Sequence, residues 1–246
     1  LHPIDLGADI CCDSAHKTLP VLTGGAYLHI SNSYEASEDE VRSALALFAS
    51  TSPSYLILQS LDLCNAYLSD GYAQRLSECI KKLSALSERL ASLGFESEQT
   101  EPLKLVFSAE TCGYSGDELA EHLRKCGIEP EFAARDCLVL MATPENTDED
   151  LERVYKAFAI LKKRSAHGNS LPPSFPRPTR ALSIREAVFA SSENVEVEKA
   201  EGRICASPTV SCPPAVPVVM SGEIISREAI ELMRYYGIKK IEVIKK

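Results

Sequence analysis

No run of 18 consecutive apolar residues occurs in the 246-residue chain, so no segment reads as a membrane-spanning helix. No basic-then-apolar stretch opens it, so no secretion signal is expected and a cytoplasmic setting is. Cys-x-x-Cys pairs are missing, and none of the nine cysteines (positions 11, 12, 64, 79, 112, 126, 137, 205 and 212) has zinc-like spacing with a histidine. Scattered through apolar stretches, they read as reduced core thiols. There is no Gly-x-Gly-x-x-Gly, and Gly113 with Gly116 is too sparse a pair for a phosphate loop. Positive charge is short as well. Lys and Arg number 26 against 35 Asp and Glu, and a net charge of −9 argues against the clustered basic surface that nucleic acid requires. What remains is ordinary: 45% hydrophobic and 25% charged residues, long enough for one large or two modest domains.

Chemistry concentrates in residues 9–30. An apolar run ends in Asp13-Ser14-Ala15-His16-Lys17-Thr18, then Pro20, Gly24 and Gly25 precede a second strand-like run, Ala26 to Ile30. A loop between two strands is held by a rigid sheet and is a natural site for function. Lys17 stands among hydroxyls and an imidazole. Such neighbours handle protons without adding fixed positive charge, and partial desolvation would lower the amine's pKa towards nucleophilic use. The plainer reading is a solvated lysine. If the strand continued through this stretch, Ser14 and His16 would share one face and Lys17 the other. A turn near His16 is therefore needed to bring the three to one ligand.

Elements follow from periodicity and caps. Residues 38–49 read as a helix with Ser37 at its N-cap and acidic residues in its first turn. Pro53 suits the first turn of a second helix, which runs through Ile57, Leu61, Cys64 and Leu68. The hydroxyl-rich Ser50-Thr51-Ser52-Pro53-Ser54 before it is an anion-site candidate through Ser50 and Thr51, or simply a cap made by Thr51 or Ser52. A long helix spans Asp70 to Gly94, striped by Leu76, Cys79, Ile80, Leu83, Leu86, Leu90 and Leu93. Residues 102–163 alternate strands (103–108, 128–132, 137–142) with helices capped by Ser115 or Asp117 and near Asn146, and Gly127 closes the first. Glu129, Glu131 and Arg135 read as solvated. A Pro- and Ser-rich linker leads to a short helix from Leu182 to Phe189, and a last helix covers roughly Ser226 to Tyr236.

Three separated blocks carry a family likeness: Ser14-Ala-His-Lys-Thr-Leu-Pro20, then Ser50 to Tyr55 with Ser60-Leu-Asp62, then Gly202-Arg-Ile204 with Pro213-Pro-Ala-Val-Pro217 and Gly222-Glu223. Together they resemble the Orn/Lys/Arg decarboxylase family of pyridoxal-phosphate enzymes. The resemblance implies an α/β chain: the C-terminal half of a fold-type-I large domain, with a mostly parallel sheet and helices, followed by a small α/β domain. It divides the chain into a lysine-bearing part of the large domain (1–94), a small domain (95–164), a linker (165–182) and a family-specific C-terminal region (183–246). Lys17 would form the Schiff-base link to pyridoxal 5'-phosphate, with Ser14 and His16 lining the cofactor and contacting its phosphate. Ser50 and Thr51 would reach across a homodimer interface to the partner's cofactor phosphate. The implied reaction is decarboxylation of arginine, lysine or ornithine to an amine and CO2. The family's preceding half would lie outside this chain, so residues 1–246 alone are expected to be inactive. The alternatives are another enzyme of the same fold, such as an aminotransferase, and a noncatalytic homologue. Gly24-Gly25 departs from the family, where many members carry Gln or Ser beside a small residue.

Overall fold

The computed structural model describes residues 2–35, 37–98, 101–162, 164, 173–212 and 216–245. In chain order these form β1 (Ile10–Asp13), β2 (Tyr27–Ile30), α1 (Glu38–Ala46), α2 (Tyr55–Ser69), α3 (Tyr72–Ser92), β3 (Ser97–Glu98) and β4 (Lys104–Ser108). Then come α4 (Ala109–Cys112), α5 (Gly116–Lys125), β5 (Phe132–Ala134), β6 (Cys137–Met141) and α6 (Asp148–Ala159). The remainder is β7 (Thr179–Arg180), α7 (Ile184–Phe189), β8 (Ser192–Glu196), β9 (Thr209–Cys212), β10 (Val216–Met220), β11 (Glu223–Ile224), α8 (Arg227–Tyr235) and β12 (Lys240–Ile244). Short 3-10 turns cover Pro3–Leu6, Ala15–Lys17 and Val197–Lys199. Among the described residues no helix is long and apolar enough to cross a membrane.

The chain forms two compact units. The first comprises Leu1–Leu93, Ser97–Leu105 and Leu140–Ile160, and the second takes the rest. One sheet has four strands in the order β3-β4-β6-β5. In the first unit, β1 and β2 pair antiparallel, Cys11 opposite His29 and Asp13 opposite Tyr27. The long amphipathic stripe is confirmed on α3: Cys79, Leu83, Leu86 and Leu90 are buried and face α6, whose Ala157 and Phe158 are buried in turn. Lys82–Asp148 at 2.6 Å and Arg89–Glu152 at 2.8 Å fix the edges of that contact. In the second unit, Val197, Ala200, Cys205, Ile225, Leu232 and Val243 centre a core under α8 and the antiparallel pairs β8–β12 and β9–β10.

The mixed α/β class holds; among the described residues of the large-domain stretch the strand pair, β1–β2, is antiparallel. A 13-residue loop joins β1 to β2 and turns the chain straight back, whereas parallel neighbours need a crossover, usually helical. Pro53 does not open α2. The Ser54 hydroxyl accepts the Ile57 N–H at 3.4 Å and takes the cap, which leaves Pro53 outside the helix and neither Thr51 nor Ser52 as the cap. The strand expected over 128–132 begins only at Phe132. The Ile128 N–H is used by the end of α5, bonding Leu123 O at 2.9 Å beyond Gly127 at φ +76°, and Pro130 has no N–H to donate. α1 stops at Ala46 rather than 49, because Phe48 and Ala49 both close turns onto Leu45 O. Cys64, Cys79, Cys112 and Cys205 are buried free thiols as expected; Cys12 instead points from the open face of β1 and is exposed. Residues 165–172 of the Pro/Ser-rich linker and residues 213–215 lie outside the described residues.

Candidate functional site

The lysine loop is built on α2. Ala15 is 3% exposed and packs with Val21 and Cys64, and Leu19, Tyr27, Leu61 and Leu68 close around them. The loop is also hydrogen-bonded to that helix: the Leu22 N–H donates to Ser60 Oγ (3.1 Å) and the Tyr27 hydroxyl donates to Leu61 O (2.9 Å). Burial pushes the Tyr27 phenol's pKa up, so it remains a donor. Ser60 in turn donates to Ile57 O at 2.7 Å, which fixes its hydroxyl for the loop.

The required turn is present. Residues 15–17 form one turn of 3-10 helix, with the Lys17 N–H bonded to Ser14 O (3.1 Å) and the Leu19 N–H to Ala15 O (2.9 Å). The His16 N–H reaches across the loop to Gly25 O at 3.2 Å. Gly25 admits no side chain. An added Cβ would stand 2.3 Å from Val21 Cγ1, 3.3 Å from Leu22 O and 3.4 Å from Leu61 Cδ2. Gly24 adopts φ +96°, a conformation that L side chains rarely take. The paired glycines are thus what lets the returning chain close on the lysine turn. Ser14 and Lys17 are exposed and His16 is half-buried, so an amine, a hydroxyl and an imidazole are presented from one rigid turn.

Ser50 and Thr51 are exposed in the segment before α2. Ser50 Oγ accepts the Ser52 N–H at 3.1 Å. Among the described residues no hydrogen bond joins Ser50 or Thr51 to the Ser14–Lys17 turn.

A third cluster was not foreseen. Cys11, Asp13 and His29 share one face of the β1–β2 ribbon, and His2 reaches it from the turn that precedes β1. Asp13 Oδ2 lies 2.8 Å from His2 Nε2 and 3.2 Å from His29 Nε2, and the Cys11 thiol donates to Asp13 Oδ1 at 3.0 Å. Those bonds from Cys11 and His2 hold the Asp13 carboxyl below its usual pKa, and the carboxylate raises that of the thiol. Sequence reading missed the set because it depends on strand register. The one local hint is the odd spacing that puts Cys11, Asp13 and His29 in phase on a hairpin.

Two family models match the chain: the major domain of the Orn/Lys/Arg decarboxylases over residues 5–106, and the C-terminal domain of the same family over 168–242. The chain belongs to the Orn/Lys/Arg decarboxylase family. Among curated relatives, the Bacillus subtilis protein named "Uncharacterized protein YaaO" is 31% identical over 93% of this chain and 50% of its own length. A Bacillus subtilis arginine decarboxylase is 28% identical over 94% of this chain and 50% of its own length. The family's fold is also present: the E. coli constitutive lysine decarboxylase superposes with a TM-score of 0.73 over 96% of this chain and 49% of its own, at 16% identity. The chain therefore spans about half the length of the decarboxylases it matches.

Proposed function

We propose that the protein carrying this chain decarboxylates a basic amino acid with pyridoxal 5'-phosphate, and that Lys17 is the residue that holds the cofactor. The observation that carries this reading is the Ser14–Lys17 turn, a primary amine flanked by hydroxyl and imidazole and locked onto α2, in a chain of decarboxylase family.

The residues present fit that cofactor. Lys17 offers the amine for its aldehyde, while the Ser14 hydroxyl and the half-buried His16 imidazole are polar groups suited to lining the cofactor and contacting its phosphate. Bound, the cofactor supplies the electron sink that makes loss of an α-carboxylate feasible. The chain's own work is to bind, orient and move protons. The 3-10 turn and the His16–Gly25 bond hold the backbone of the lysine still, and Lys17 Nζ, once the substrate amine has taken its place, would deliver the proton that replaces the departed carboxylate on the α-carbon. Ser50 and Thr51 are proposed to reach the phosphate in a neighbouring subunit of a homodimer. The substrate is proposed to be arginine, lysine or ornithine, and the protein to work in the cytoplasm. Since the relatives are about twice this length, turnover is ascribed to the full-length protein, not to residues 1–246 alone.

Borohydride reduction of the cofactor-loaded, full-length protein tests the assignment. A cofactor-sized mass increment on the peptide containing Lys17 is expected, with CO2 released from one of the three amino acids. Lys17→Ala should remove the increment and lower turnover by about 10²- to 10⁴-fold. An increment on a different lysine would overturn the assignment, and none at all under saturating cofactor would point to a noncatalytic homologue.

A further inference from the structure

The cluster on the polar face of the β1–β2 ribbon is set apart from the lysine turn by its chemistry. We propose that His2, Asp13 and His29 form a binding site for a divalent transition-metal ion of the zinc class. Their donor atoms, two imidazole nitrogens and a carboxylate oxygen, all lie within 4.8 Å of one another. Ligands about 2.0–2.1 Å from a tetrahedral zinc stand about 3.3 Å apart. The observed separations of 2.8 Å and 3.2 Å around Asp13 Oδ2 are close to that spacing, so small side-chain shifts admit the ion. Two imidazoles with one carboxylate favour zinc, cobalt or nickel over magnesium or calcium, which prefer all-oxygen shells.

Two further features suit the site. Asp13 and His29 are placed on one face by the register of the ribbon, and His2 is held at the cap of the turn before β1, where its Nδ1 accepts the Ile4 N–H. The Cys11 thiol holds the other carboxylate oxygen at 3.0 Å, as an outer-shell partner orients a ligating carboxylate. The side chains are 36–42% exposed, which leaves a path for the ion and a position for water. One rearrangement is required. His2 Nδ1 accepts the Ile4 N–H at 3.3 Å, so the ring carries its proton on Nε2. Ligation through Nε2 moves that proton and gives up one long hydrogen bond.

Zinc and, separately, cobalt titrated into the full-length protein test the proposal, with affinity read by competition against a chromophoric chelator. Saturable uptake of one ion per chain is expected, with a cobalt spectrum of low coordination number. His29→Gln and Asp13→Asn should each weaken binding by more than about 100-fold, beyond the loss expected from an outer-shell partner. Zinc should raise the melting temperature of the wild type but not of either variant, which also shows whether the variants are folded. Unsaturable uptake, or tight binding that both variants retain, would overturn the site and leave Asp13 as a hydrogen-bonded carboxylate only.

Discussion

Gly25 shows how one residue positions the proposed lysine. Its carbonyl accepts the His16 N–H, and its α-carbon faces Val21 and Leu61 with no room for a methyl group. Gly25→Ala is therefore an overpacking change at a contact that cannot yield by rotating a distant side-chain end. It should destabilise the protein by about 1–3 kcal/mol and shift the turn that carries Lys17. Denaturant melts read the first effect, and the rate of cofactor uptake reads the second. Wild-type values for both would show that Val21 moves aside freely and that the glycine has no role in holding the turn. The pairing of Ser60 with Leu22 belongs to the same scale: a hydroxyl that resembles a family motif residue in sequence acts here as a clasp between α2 and the loop.

At the scale of elements, much was legible because caps are local. Ser37 with Glu40, Ser115 with Glu118, Thr147 with Asp150 and Ser183 with Glu186 each form a reciprocal capping box, and each stands in the sequence as Ser or Thr followed three residues later by an acid. The α3 stripe was equally plain. What could not be read depended on partners far along the chain. The end of α5 consumed Ile128 before a strand could start, and the union of His2, Asp13 and His29 needed the register of β1 with β2. The lysine turn was anticipated only as a requirement, since the burial of Ala15 against Cys64 joins positions 49 residues apart. The caps also yield a pH prediction. The Ser115 N–H, then Arg164, hold the Glu118 carboxyl below its ordinary pKa. A depressed folded pKa contributes stability that is complete above the unfolded carboxyl value and is lost as pH falls through the folded one. Glu118→Gln keeps the capping hydrogen bond but removes the charge, so with solvent screening it should cost about 0.5 kcal/mol or less at neutral pH. By about pH 2 the cost should vanish, since both proteins then carry a neutral group there. Unfolding midpoints at the two pH values decide it, and a cost that persists in acid would mean that Glu118 acts by packing instead.

At the largest scale, the first unit carries a set of exposed apolar side chains. On the β1–β2 ribbon the polar face of Cys11, Asp13 and His29 is half-buried, while Ile10, Leu28 and Ile30 on the other face are exposed. Ile10 and Leu28 join Val41, Ala44, Leu45 and Phe48 along an open groove of about 880 Å³, and Phe48 is 91% exposed. Nearby in sequence, Leu47, Tyr55 and Leu56 are more than two-thirds exposed as well. A soluble monomer rarely leaves so much contiguous apolar surface in water. The net charge of −9 opposes contact between copies, but salt screens that repulsion while leaving the hydrophobic attraction intact. Residues 1–246 prepared alone should therefore bind a hydrophobic dye and self-associate, more strongly as salt is raised. Phe48→Ser combined with Leu45→Ser should reduce both signals without lowering the melting temperature, because neither side chain is buried in the chain itself. Sedimentation at low and high salt with dye titration measures this directly. A chain that stays monomeric and dark to the dye at high salt would mean that α1 folds down over the ribbon in solution and covers the groove itself.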